Sequence, residues 1–137
     1  MLRKLTVIAI LIALVISAFP TAGVLAAGKT DKELEKKWEQ LVDNFNRQEM
    51  NHVKVHKWAD AWLANNTAAK DRTEVERHLS VCDSALVTAQ AIVARHAGFN
   101  AKGKVTNINL AYKSIKDLGN ALRMHAGSVK NIIEHVK

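Results

Sequence analysis

From residue 31 onward, apolar residues recur at alternating steps of four and three. Leu34, Trp38, Leu41, Phe45, Gln48, His52, Val55, Ala59 and Trp62 make one such seam, with Gln48 and His52 as its polar members. A seven-residue cadence held over successive turns places every member on one face of an α-helix. No Gly or Pro interrupts it, Asp31 stands where a cap belongs, and Asn65-Asn66-Thr67 ends it, so the spacing predicts a helix over about 31–64. Val75, Leu79, Cys82, Leu86, Ala89, Val93 and His96 repeat the stepping over about 71–97. Asp71-Arg72-Thr73-Glu74 reads as a capping box at its start and Gly98 as its C-terminal cap. Gly98 to Gly103 has the composition of a loop, and Ile108, Tyr112, Ile115, Gly119, Leu122, Ala126, Val129, Ile133 and Val136 extend the pattern over about 106–136.

No stretch alternates with a period of two, and no Asn-Gly or Asp-Gly hairpin turn is present. The fold class is all-α: an antiparallel, up-down-up bundle of three long, coiled-coil-like helices, each about 40–50 Å at 1.5 Å per residue. One alternative breaks the first helix near His52 to Val55 and makes four shorter helices. Another completes the core by forming a homodimer.

The first residues follow a different rule. Leu2-Arg3-Lys4 is positive, Leu5 to Phe19 is almost wholly apolar, Pro20 breaks the run, and Val24-Leu25-Ala26 fits a small-x-small cleavage site. This is the order of parts of a secretory signal peptide, residues 1–27, leaving a helical domain over 28–137. The alternative is an uncleaved membrane anchor, for which the apolar run is long enough. Either reading places the domain in a secreted, periplasmic or cell-envelope setting. Exported small domains usually carry disulfides. Here Cys82 is the sole cysteine, so it is buried, joined to a second chain, or bound to a metal. Asn65-Asn66-Thr67 matches a glycosylation acceptor, a pattern short enough to arise by chance.

The 137-residue chain carries 20 Lys and Arg against 13 Asp and Glu. Lys116, Arg123, Lys130 and Lys137 recur every seven residues along the last helix, with Lys113 beside them. Such an edge either pairs with acids on a neighbour, here Glu35, Glu39, Asp43 and Glu49 of the first helix, or meets an anionic surface or polymer. No aromatic residues interleave with these cations as stacking on nucleic acid would require, and no specific nucleic-acid motif is present.

The histidines bring candidate chemistry. His52 and His56 are four apart, as are His78 and Cys82, and residues four apart share a helix face. If the first two helices fold about a loop centred near Thr67, His52 lies level with Cys82 and His56 with His78. Folding the third helix back near Ala101 brings Met124 and His125 to the same height. Imidazole with thiolate suits zinc, and added thioether suits copper. Packing residues inside a bundle would give the same pattern. Glu49-Met50-Asn51-His52 has the Glu-x-x-His of di-iron bundles but no second copy. Covalent haem is excluded because no Cys-x-x-Cys-His is present, while a haem held by Met and His remains open. No phosphate loop, nucleophile elbow or carboxylate cleft stands out, so the chain reads as a non-enzyme. The expected function is an exported structural or binding module of the cell envelope. Zinc or copper binding and binding of an anionic surface are the alternatives.

Overall fold

The computed structural model describes residues 30–68 and 70–136. The expected signal peptide and the side chain of Lys137 lie outside the described residues. Three helices make up the fold: α1 (Asp31–Asn65), α2 (Arg72–Arg95) and α3 (Ile108–Val136). Among the described residues there is no strand, only an isolated antiparallel bridge between Phe99 and Val105. No helix among them is long and apolar enough to cross a membrane.

Helix α1 runs unbroken for 35 residues, so the alternative of a break near His52 to Val55 is overturned. Its cap is Thr30, one residue earlier than Asp31. The Glu33 amide donates to Thr30 Oγ1 at 3.4 Å and the Glu33 carboxylate accepts from the Thr30 amide at 2.9 Å. At α2 the expected capping box does not form. Asp71 holds the cap position without a side-chain bond, because Glu74 is drawn to Arg77 instead, at 2.8 Å. At the other end of α2, His96 rather than Gly98 takes the left-handed cap, with φ of 36°. The first free amides of α3 are met by Asn107, whose Oδ1 accepts from Leu110 N at 3.0 Å.

α3 packs against both other helices. The interior falls into two apolar blocks. One surrounds Trp38, Phe45, Leu86, Phe99, Leu118 and Leu122, with Trp38 and Phe99 stacked at 4.6 Å between ring centres. The other surrounds Val55, Leu63, Val75, Leu79, Val129 and Ile132, with Trp58 and Trp62 partly buried against it. Each large side chain so enclosed contributes about 1.5–3 kcal/mol. Between the blocks lies a polar layer of buried Asn44, Gln48, Asn51 and His125.

The α3 seam differs from expectation at its start. Ile108 and Tyr112 are exposed, while Ala111 and Leu118 are fully buried. A helix that touches two neighbours buries a face broader than one heptad seam, so two adjacent rows share the core.

Candidate metal centre

Gln48, His52 and His56 follow one another at single turns on α1. α3 delivers His125 to the first two, and α2 delivers Asp83 to the last two. The contacts run in a chain. Gln48 Nε2 donates to Asn44 Oδ1 at 3.2 Å, and Gln48 Oε1 lies 2.7 Å from His125 Nδ1. His125 Nε2 lies 3.0 Å from His52 Nδ1. His52 Nε2 is 3.1 Å from Asp83 Oδ1, and His56 Nε2 is 2.6 Å from the same oxygen. His56 Nδ1 faces Asp60 at 3.9 Å.

The chain crosses from dry core to surface. His125 is 1% exposed, whereas the Asp83 side chain is 50% exposed. Burial is the main force on His125, with the neighbouring His52 adding to it, and its pKa falls to about 4. Burial also lowers His52, and His56 adds to this, while Asp83 opposes it. At neutral pH both rings are therefore neutral. Each offers one bare nitrogen, the form in which imidazole ligates metals.

His52, His56 and Asp83 each present a ligand atom, and these three lie within 4.8 Å of one another. His52 and His56 are thus together as the spacing suggested, but the residue facing them is Asp83 rather than Cys82 or His78. The α1–α2 loop occupies 66–71, later than a centre at Thr67, and this slides α2 by about a turn. Glu49 meeting Gln90 at 2.8 Å fixes the same register. In sequence Asp83 stands with Glu74 and Glu76 as a carboxylate of the second helix, outside the His/Cys set, yet one signal distinguishes it. It is the sole Asp, Glu, Lys or Arg between Arg77 and Arg95.

The other candidates are placed elsewhere. His78 lies with Glu74 and His135, whose ligand atoms form a second group within 4.8 Å. There the Arg77 guanidinium already sits as the cation, 2.8 Å from Glu74 Oε2 and 3.1 Å from His78 Nε2. Burial and that guanidinium both lower the pKa of His78. Cys82 is fully enclosed, and its thiol donates to the backbone oxygen of His125 at 3.7 Å. Burial, aided by the charge of Asp83, pushes that thiol up to about 12, which opposes the thiolate that a metal would need. Met124 is 58% exposed and turned away from the layer.

Among the described residues, the basic edge makes no ion pair with α1, contrary to one of the two expectations for it. Lys113 pairs with Asp117 and Lys130 approaches Glu134 at 3.9 Å, both within α3. Arg123 bonds Asn120 at 2.6 Å and the backbone of Gly119 at 3.2 Å. The α1 acids turn elsewhere, with Glu35 accepting from Lys104 at 2.9 Å and from the Val105 amide at 3.1 Å.

Comparisons with protein-family models, with curated proteins and with solved structures yield no match.

Proposed function

We propose that this chain is an exported, non-catalytic binding module whose ligand is a transition-metal ion, zinc or copper. His52 Nε2, His56 Nε2 and Asp83 Oδ1 would hold it between α1 and α2. The observation that carries the reading is the sharing of one carboxylate oxygen by two imidazole nitrogens, at 3.1 and 2.6 Å. Two neutral imidazoles and a carboxylate form a common donor set for zinc, and imidazole also suits copper. Three protein ligands leave a further coordination position for water or a second molecule. The outer part of the site is open enough for an ion to reach it, since His56 is 30% exposed and Asp83 half exposed.

The test is a titration of the metal-stripped protein with zinc and with copper, followed by calorimetry and elemental analysis. One ion per chain is expected. His52→Ala and Asp83→Ala should each weaken binding by more than the roughly 10–100-fold that loss of an outer partner costs. Cys82→Ala and His78→Ala should bind as the native chain does. A protein that takes up neither ion refutes the proposal.

A second reading rests on α3. Lys116 and Arg123 have no acidic partner among the described residues, so the outer edge of α3 keeps positive charge available for an anionic surface.

A further inference from the structure

We infer that His125 is a positioning residue for the metal centre, dictating which ring nitrogen of His52 carries the proton and so aiming the bare one at the ion. This rests on the metal reading above. The argument starts in the core and moves outward. Gln48 spends its amide nitrogen on Asn44 Oδ1, so the atom it turns to His125 is an oxygen, which can only accept. His125 Nδ1 must therefore hold a proton and donate. The ring is 1% exposed and has no acidic partner at Nε2, so with its proton on Nδ1 it leaves Nε2 bare and able only to accept. His52 Nδ1, 3.0 Å away, must then be the donor. In a neutral His52 this strips Nε2 of its proton, and Nε2 is the atom that faces Asp83 Oδ1 and His56.

The opposite assignment puts a proton on His52 Nε2, where it would satisfy Asp83. Two bare nitrogens would then face each other at His52 Nδ1 and His125 Nε2. That contact ends on an almost fully buried ring, where no water can relieve it. The contact between His52 Nε2 and Asp83 ends on a half-exposed carboxylate, where water or a cation can. An unmatched polar contact is costlier where it is buried, so the inner end of the chain decides. The result is two acceptors facing each other at 3.1 Å, an arrangement that a cation between them makes favourable. Ligating histidines ordinarily donate their second nitrogen to an outer group that fixes ring and tautomer. His125 fills that role here, and Gln48 fixes His125 in turn.

Nitrogen-15 spectra of the metal-free native protein read imidazole tautomers directly. His52 and His125 should each show the proton on Nδ1, and His52 protonated on Nε2 instead overturns the inference. The zinc titration supplies the second readout. His125→Phe keeps a ring in the core but removes the acceptor, and zinc affinity should fall about 10–100-fold. His125→Gln presents an amide oxygen near the place of Nε2 and should recover most of that loss, which a purely packing role would not do. If His125→Phe fails to fold by circular dichroism, Gln48→Met carries the same test, because it frees His125 without altering either ring. A native chain that binds zinc while these variants bind equally well overturns the inference and leaves the metal reading standing. A native chain that binds no zinc overturns both.

Discussion

Adding one methyl group at Gly98 should weaken the bundle far more than adding one at Gly103. Both glycines lie in the corner between α2 and α3 and both have positive φ, 88° and 73°. They differ in what stands beside them. A Cβ on Gly98 would lie 2.1 Å from Ala111 N, 2.6 Å from Ala111 Cα and 2.6 Å from Leu110 C. These are backbone atoms of the first turn of α3, so no rotamer change can make room. Either α3 retreats or the corner reshapes. Both routes disturb the bonds that seat it, Thr106 N to Gly98 O at 2.8 Å and Ser114 Oγ to Ala97 O at 2.7 Å. A Cβ on Gly103 would meet only the edge of Trp38, at an ordinary 3.7 Å. Gly103→Ala therefore costs the conformational part alone, about 1–2 kcal/mol. Gly98→Ala adds overpacking of about 1–3 kcal/mol or more, a large share of the roughly 5–15 kcal/mol that holds a domain. Urea unfolding followed by far-ultraviolet circular dichroism measures both. Equal losses for the two variants would refute the close approach of α3 to the corner. That approach also sets the height at which His125 meets His52.

Acid should destabilise the fold through its buried histidines. The folded pKa of His125 is about 4 against an ordinary 6.5, so the unfolded chain takes up the proton first. Stability is then complete above pH 6.5 and declines as pH falls towards 4, by about 3 kcal/mol for this group alone. His52 and His78 shift the same way, and unfolding midpoints that stay flat from neutral to mildly acidic pH would contradict the buried, neutral assignment. Cys82 should resist thiol reagents in the native protein and react promptly in denaturant, and rapid labelling without denaturant would show that the core around it opens freely. For the same reason a second chain joined through Cys82 requires the bundle to come apart, so any homodimer should persist in reductant on sizing columns. Binding to anionic vesicles at low salt, weakened by added salt and by Lys116→Glu with Arg123→Glu, is expected if the α3 edge meets such surfaces. Equal binding to neutral vesicles would count against that edge.

The helices were legible because long helices announce themselves in spacing. The expected span 31–64 became Asp31–Asn65, 71–97 became Arg72–Arg95, and 106–136 became Ile108–Val136. What the spacing could not supply was the sliding of one helix past another. That depends on how residues 66–71 turn: a displacement of about a turn puts Asp83 in place of His78 opposite His56, while Cys82, the residue before it, points about 100° away into the core. Charge pairing was equally hidden. Lys113 finds Asp117 four residues on, a contact any isolated helix can make, while Glu35 finds the distant Lys104 only because the corner after α2 returns to the start of α1. The chain from Gln48 to His125 is hidden in the sequence for a related reason. Its members are 77 residues apart, and Gln48 resembled a blemish in an apolar seam rather than an acceptor with a purpose.

The enclosed band of amides and imidazoles across the middle of the rod parts its oily filling into two compartments. Neither reservoir of apolar contact extends through the band, so opening one end need not unzip the other. Amide protons near Trp38 and those near Ile132 can therefore exchange with solvent at separate rates, and an ion bridging α1 to α2 at the band would act as a rivet coupling the two.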